Sequence, residues 1–233
     1  MSVAVETREK DEAGSTLCDP RLIVALDLPS RADAESMVER LGDAVSFYKV
    51  GLQLLATGGM AMAKDLKTRG RQIFLDWKLH DIGATVEKAT AAIVATGACD
   101  FLTVHAEPQV LAAAVRGRAG AVGVKILGVT VLTSLSEADL KLIGYGEGVE
   151  ALVERRIRQA LDAGADGVVA SPHEAARGGW SDRRPRCPFQ APAISAAMLS
   201  AAARGSLAAV TGRPQTRWLA PAARASAGVA ARA

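Results

Sequence analysis

The amino-acid sequence predicts an α/β fold, a parallel (β/α)8 barrel of the TIM type, on three observations. Between residues 21 and 176, six short apolar segments alternate with segments that have helical hydrophobic spacing, a pattern typical of parallel βαβ units. Six such units exceed what a five-stranded flavodoxin-like sheet needs. The chain has 233 residues, 49% of them hydrophobic, which suits one barrel of roughly 200–250 residues with a single core.

The predicted strands are short and nearly continuous apolar runs, as expected for strands that are buried on both faces. They cover residues 21–27, 45–50, 72–78, 100–105, 124–132 and 166–170.

Capping residues and hydrophobic spacing define the helices between these strands. Ser30 is the predicted N-cap of the first helix, in which apolar residues recur every three or four positions. Gly70, Gly97 and Gly164 are predicted to end later helices. Those later helices cover residues 53–69, 84–96, 109–116 and 149–163, and the glycine-rich residues 144–148 are predicted to form a loop.

Residues 177–233 do not continue the βα pattern. Residues 178–233 contain 17 alanines, eight arginines, no lysine and one acidic residue, and residues 207–211 form the only strand-like run. We therefore predict a disordered leader over residues 1–20, barrel units one to six over residues 21–176, and an aberrant C-terminal segment in place of units seven and eight. A reading-frame shift near Arg177 in a GC-rich gene would explain this composition, and the nucleotide sequence tests that hypothesis.

The composition excludes several classes of protein. No run approaches the roughly 18 apolar residues of a membrane span, and residues 1–20 lack the apolar core of a secretory signal. The three cysteines are scattered, which predicts neither a disulfide framework nor a zinc site and favours a cytoplasmic location. The C-terminal arginines lie among Ala, Pro and Gly without interleaved aromatic residues, so we predict no nucleic-acid or membrane partner.

Ionisable residues are concentrated where the predicted strands end, the end at which such barrels carry their functional groups. Side chains alternate along a strand, so Asp76 and Lys78 are expected to point together into the barrel mouth, with Asp81 in the following loop. Flanking carboxylates favour a charged Lys78, and a charged lysine is a proton donor rather than a Schiff-base nucleophile. A salt-bridge network that only closes the barrel end is the alternative. Ionisable groups from three strands favour a functional site. The strand ends also carry Asp27, Lys49, His105, Thr133 and Ser171.

The segments around these residues resemble the bacterial orotidine 5′-phosphate decarboxylase family. The resemblance covers about residues 20–176 and is carried by residues 22–27, 47–52, 74–83, 129–134 and 171–174. It implies a (β/α)8 barrel that forms a homodimer and converts a small nucleotide, orotidine 5′-phosphate, to UMP. The implied activity is that of a carbon–carbon lyase of pyrimidine biosynthesis, with no metal and no organic cofactor.

Carried over to the matching positions, the resemblance implies a catalytic role for four residues. Lys78 protonates the C6 carbanion, Asp76 lies against the substrate carboxylate, and Lys49 completes the charge array while also contacting substrate. Asp81 reaches across the dimer interface into the neighbouring site.

The resemblance also implies three further substrate-binding residues. Asp27 binds the ribose hydroxyls, Thr85 reaches across the dimer interface, and Thr133 contacts the pyrimidine. The family's Gly-Ile-Arg-type loop and Gln-containing loop are not found after Ala176, which leaves Gly212-Arg213 as the candidate phosphate site. Trp77 stands where the family commonly has an aliphatic residue, and Glu107 where it more usually has Tyr.

Two alternatives stay open at the level of sequence. A metal-dependent sugar-phosphate lyase of the same superfamily shares the Asp-x-Lys-x-x-Asp motif but places an acid where this chain has Lys49, because magnesium needs oxygen ligands. An inactive decarboxylase-like protein with a frame-shifted C-terminal segment is the other. Such an open barrel would expose strand edges.

Overall fold

In the computed structural model, the described residues are 22–121, 123–171 and 194–195. Within them, seven parallel strands form one curled sheet in which each strand pairs with the next along the chain. The strands are β1 Ile23–Ala25, β2 Phe47–Gly51, β3 Gln72–Leu79, β4 Phe101–His105, β5 Lys125–Val129, β6 Gly167–Ala170 and β7 Ile194–Ser195. This architecture confirms the predicted α/β class and the order of the first six strands.

The helices connect consecutive strands, as the sequence predicts. They are α1 Arg31–Leu41, α2 Leu52–Leu55, α3 Gly59–Thr68, α4 Gly83–Ala95, α5 Pro108–Arg118, α6 Glu137–Leu142 and α7 Val149–Asp162. Ser30 caps α1 as predicted, because its hydroxyl accepts a hydrogen bond from the Asp33 N–H at 3.2 Å. None of the helices in the described ranges has both the length and the apolar character needed to cross a membrane.

Three elements differ from the sequence prediction. The single helix predicted over residues 53–69 is two helices, because Gly58 adopts a left-handed φ of 104° and a Cβ on Gly59 would lie 2.8 Å from the Leu54 carbonyl oxygen. Helix α6 was not predicted, although Ser136 and Asp139 form a capping box at its start. Strand β7 lies in the C-terminal segment, where the sequence predicts a strand only over residues 207–211; two residues are too short to give a periodic signal. Residues 207–211 lie outside the described residues.

The two faces of the sheet have different cores. The face toward the helices carries most of the buried hydrophobic residues, including Leu26, Tyr48, Ile73, Leu75 and Leu102. The opposite, concave face carries an aromatic layer in which Phe101 stacks on Phe47 at a centroid distance of 5.4 Å and meets Phe74 edge-on at 6.2 Å.

The aromatic layer lies two residues before the charged residues on the same strand faces. Phe47 precedes Lys49 on β2, and Phe74 precedes Asp76 on β3, so the period-two alternation of a strand points each pair the same way. On the concave face, the charged residues therefore lie nearer the carboxyl ends of these strands, next to the aromatic layer.

Candidate active site

An alternating row of charges connects the ends of β1, β2 and β3. The Lys49 Nζ atom lies 2.9 Å from Asp27 Oδ2 and 3.3 Å from Asp76 Oδ2. Lys78 Nζ lies 2.9 Å from the other Asp76 oxygen. The structure thus joins four of the predicted site residues into one array, which we call the charge array: Asp27, Lys49, Asp76 and Lys78.

Asp76 is the most enclosed carboxylate of the array and is 3% exposed. Burial raises the pKa of a carboxyl group, but the nearby charge of Lys49 and hydrogen bonds from Lys78 and Thr103 outweigh it, so the pKa of Asp76 is lowered. The carboxylate is therefore ionised at neutral pH. The lysines that hold it come from two different strands.

A bulge in β3 sets the direction of Lys78. Leu75 pairs with Leu102 of β4 and Leu79 pairs with Val104, so residues 76–78 lie opposite the single residue Thr103. Lys78 has a φ of 48°, a left-handed value that is uncommon for a residue with a side chain. Simple alternation along a strand predicts that Asp76 and Lys78 lie on one side of β3; they do meet, but on an irregular stretch of strand.

Gly51, at the end of β2, has no side chain and so leaves space for the Asp27 and Lys49 side chains. A Cβ at this position would lie 2.5 Å from Asp27 Oδ1 and 3.1 Å from Lys49 Nζ. Any side chain at residue 51 would therefore displace the Asp27–Lys49 pair, and this close approach explains a glycine as the last residue of the strand.

The structure does not join every predicted site residue to the array. Asp81, Thr85 and Thr133 are exposed, and among the described residues none of them makes a hydrogen bond to the array. The Asp81 carboxylate instead accepts the Ile82 N–H at 2.6 Å. Gly212 and Arg213 lie outside the described residues.

Thr103 is the site residue that sequence reasoning missed. Its hydroxyl donates to Asp76 Oδ1 at 3.1 Å and accepts the Lys78 backbone N–H at 3.0 Å. A threonine within a predicted strand carries no local signal for such a role. Only its position two residues before His105, on the same strand face, could have suggested it.

A second polar cluster lies beside the charge array at the end of β4. The rings of His80 and His105 are 5.0 Å apart, and His80 Nε2 is 3.8 Å from Glu107. Arg156 is buried and bonds to Glu107 at 2.8 Å and to the Tyr145 hydroxyl at 3.0 Å. This network ties the loop after α6 to the loop after β4.

His105 should make stability depend on pH. Burial lowers its pKa, and the charges of His80, Lys78 and Arg156 act in the same direction against Glu107. Unfolded histidine takes up a proton below about pH 6.5, whereas folded His105 stays neutral until the pH reaches its lower folded pKa. Its contribution to stability is therefore present above about pH 6.5 and lost as the pH falls toward the folded value.

We expect the free energy of unfolding to fall more between about pH 7.5 and pH 5.5 in the unmodified chain than in His105→Gln. Urea denaturation of both proteins at each pH measures this difference. Equal losses in the two proteins would contradict the assignment to His105.

The charge array already contains its own cation. Lys49 Nζ lies between the Asp27 and Asp76 carboxylates, the place where a divalent ion would otherwise neutralise two acids. Among residues 22–121 and 123–171, no group of three or more His, Cys, Asp or Glu side chains is arranged to hold a metal ion. The donor set at this strand end does not fit a magnesium site.

Comparison with known proteins identifies the family that the sequence resembles. Residues 20–226 match the orotidine 5′-phosphate decarboxylase / HUMPS family. The chain belongs to this family. The match extends well beyond the segment that carries the resemblance in sequence, so the C-terminal segment is partly included in it.

The curated relatives of this chain include decarboxylases of two bacteria. The orotidine 5′-phosphate decarboxylase of Caulobacter vibrioides (strain NA1000 / CB15N) is 66% identical over 158 residues, which are 68% of this chain and 67% of the relative. That of Rhodopseudomonas palustris (strain BisA53) is 56% identical over 156 residues, 67% of this chain and 66% of the relative. The matched part is thus about two thirds of each decarboxylase.

Two solved structures of related proteins have the same fold. The orotidine 5′-phosphate decarboxylase of Lactobacillus acidophilus aligns with a TM-score of 0.63 at 34% identity, covering 70% of this chain and 76% of that one. An uncharacterized conserved protein of Geobacillus kaustophilus aligns with a TM-score of 0.61 at 34% identity, covering 66% and 75%. Both likenesses extend beyond the fold to sequence.

Proposed function

We propose that this chain is a lyase that decarboxylates orotidine 5′-phosphate to UMP. The observation that carries the proposal is the row of alternating charges from Asp27 through Lys49 and Asp76 to Lys78, within 3.3 Å at each step. Relatives that are 53–66% identical are named for this activity. The metal-dependent alternative is not favoured, because Lys49 occupies the position where that reaction needs an acid.

Lys78 is the proposed proton donor. When the bond between C6 and the carboxylate breaks, carbon dioxide leaves and the electron pair remains on C6. A proton from the Lys78 ammonium then forms the C6–H bond of UMP, and the neutral amine regains a proton from solvent. Charges that are already in place need no reorganisation as the carbanion forms, and this preorganisation is the main source of rate.

Asp76 and Lys49 hold that ammonium in place. The Asp76 carboxylate binds Lys78 on one oxygen and Lys49 on the other, so it ties the Lys78 ammonium to the buried Lys49. Repulsion between Asp76 and the substrate carboxylate would also favour the loss of carbon dioxide, but we assign it a smaller part of the rate than electrostatic preorganisation.

The remaining predicted residues are proposed to bind the nucleotide. Asp27 would hold the ribose hydroxyls and Thr133 the pyrimidine, while Gly212-Arg213 is the proposed phosphate site. Binding energy from a phosphate far from the reacting carbon can be used to exclude water and to order the site. We further propose that the enzyme works in the cytoplasm.

The purified full chain tests the activity directly. Incubated with orotidine 5′-phosphate, it should form UMP, followed by the absorbance change and by chromatography, and should do so equally in the presence of a chelator. A chain that melts cooperatively but forms no UMP would support the inactive, decarboxylase-like alternative. Loss of activity with chelator would support the metal-dependent one.

We also propose a homodimer with shared sites. Asp81 and Thr85 flank Ile82 at the start of α4, and Ile82 is 72% exposed, which gives this rim an apolar centre between polar neighbours. Such a patch suits a two-fold interface, in which each subunit offers the same surface.

Mixing two inactive variants tests the shared site. Lys78→Ala and Asp81→Ala should each be weak alone, but a hybrid dimer would contain one site with both native residues. After subunit exchange, an equimolar mixture should recover about a quarter of the unmodified activity, since about half the dimers are hybrids with one good site. If Asp81 serves its own subunit, the mixture will stay at the average of the two variants.

A further inference from the structure

Thr103 is the residue of β4 that hydrogen-bonds to both Asp76 and Lys78. It is 0% exposed and lies opposite residues 76–78 of the β3 bulge. Its hydroxyl accepts the Lys78 backbone N–H at 3.0 Å and donates to Asp76 Oδ1 at 3.1 Å. The Leu75 carbonyl, at 3.5 Å, is the more distant of the two acceptors within reach of the hydroxyl proton.

The backbone at Lys78 needs such support. A residue with a side chain at a φ of 48° is in a sparsely populated conformation that persists only where its surroundings fix it. The bulge also removes Lys78 from the regular β3–β4 ladder, because pairing resumes only at Leu79. The Thr103 hydroxyl therefore takes the place of a ladder acceptor for the Lys78 N–H.

We propose that Thr103 is a positioning residue, whose single hydroxyl fixes the Lys78 backbone and the Asp76 carboxylate relative to each other. The inference rests on the proposed decarboxylase function and adds a residue to it. Asp76 Oδ1 also receives Lys78 Nζ at 2.9 Å, so Thr103, Asp76 and Lys78 form a closed ring of hydrogen bonds. Loss of the hydroxyl opens that ring at two of its links.

A buried hydroxyl that only satisfies neighbouring polar groups would have different consequences. Its removal would lower stability without changing the rate per folded molecule. A positioning hydroxyl must change the rate, because small misplacements of a reacting group have large kinetic effects. The two roles are therefore separable by kinetics on folded protein.

Three variants provide the experiment. Thr103→Val removes the hydroxyl at nearly constant shape, and Thr103→Ser keeps it. Thr90→Val is the matched control, because Thr90 is also 0% exposed and its hydroxyl has no hydrogen-bond partner among the described residues. Each protein is assayed with orotidine 5′-phosphate for kcat and KM, after its folded fraction has been measured by circular dichroism. Thr103→Ala replaces the valine variant if the latter does not fold.

We expect Thr103→Val to lower kcat by about 10- to 100-fold, with a smaller change in KM, while Thr103→Ser and Thr90→Val stay within about threefold of the unmodified chain. The acid limb of the kcat/KM profile should also move to higher pH in Thr103→Val only. Asp76 then loses one hydrogen bond that lowers its pKa, and keeps Lys49, Lys78 and, beyond Lys49, Asp27 around it.

Two results would overturn the proposal: Thr103→Val with the kcat of Thr90→Val, or Thr103→Ser as slow as Thr103→Val. The unmodified chain separates this failure from that of the function. If it forms no UMP, the decarboxylase assignment fails first. If it is active and the valine variant is equally fast, only the role of Thr103 fails.

Discussion

Replacement of Lys78 by alanine should lower kcat/KM for orotidine 5′-phosphate by about 10⁴-fold, with the fold unchanged. The variant loses a general acid, an effect of about 10²–10⁴-fold, and also the ammonium that faces the developing carbanion, worth a further factor of about 10²–10³ in comparable sites. We take the lower end of their combination. The steady-state rate of UMP formation measures it.

The fold should survive this substitution because Lys78 is the partly exposed end of the charge array. Asp76 keeps its contacts with Lys49 and with Thr103, so no buried carboxylate is left alone. Lys64→Ala is the matched control, since Lys64 is an exposed lysine on α3 and should keep full activity. A Lys78→Ala protein that retains more than about a tenth of the activity would contradict the assigned role of Lys78.

Replacement of Lys49 by methionine should have the largest effect on stability. Lys49 is 3% exposed and lies between two carboxylates, so its removal leaves like charges facing each other in a buried site. Breaking a buried ion pair on one side costs about 3–5 kcal/mol. We expect about 3 kcal/mol in the free energy of unfolding, because Asp27 is partly exposed and can be solvated.

Two further variants of the chain serve as controls for the Lys49 prediction. Lys67→Met removes an ion pair of similar length, 2.8 Å to Asp100, at a partly exposed site, and should cost about 1 kcal/mol or less. The double variant Lys49→Met/Asp76→Asn should be more stable than Lys49→Met alone, since it removes one of the facing charges. Urea denaturation at neutral pH gives all of these values. Equal losses in Lys49→Met and Lys67→Met would contradict the buried, mutually dependent charges that we assign to the array.

The chemistry of the site was largely readable from local sequence. Asp27, Lys49, Asp76 and Lys78 stand at or just beyond strand ends, and parallel strands in one sheet bring their carboxyl ends together. Burial on both faces makes each strand a continuous apolar run, so its end is visible as the first charge. Strand ends and the following loop also predicted Thr133 and Asp81, whereas Thr85 was implied only by the family resemblance. None of the three bonds to the array among the described residues, and their roles stay predictions.

The α6 capping box and the split between α2 and α3 show a second limit of local patterns. Ser136 and Asp139 carried a recognisable signal, and Gly58-Gly59 interrupts an otherwise helical spacing. Both features were weaker than the surrounding periodicity, since a short helix or a single turn buries little apolar surface.

The sequence alone determined the order of the first six strands, the end of the sheet at which the charge array lies, and the identity of its four charged residues. These depend on burial and on chain order, which each segment encodes for itself. Only the tertiary structure decided that residues 76–78 bulge, that Lys78 takes a left-handed φ, and that Thr103 bonds to both the Asp76 carboxylate and the Lys78 backbone N–H. Those features arise from the register between β3 and β4, whose contacting residues are 25 or more positions apart. Both strands are buried on both faces, so they lack the alternation of apolar and polar residues that would fix the register locally.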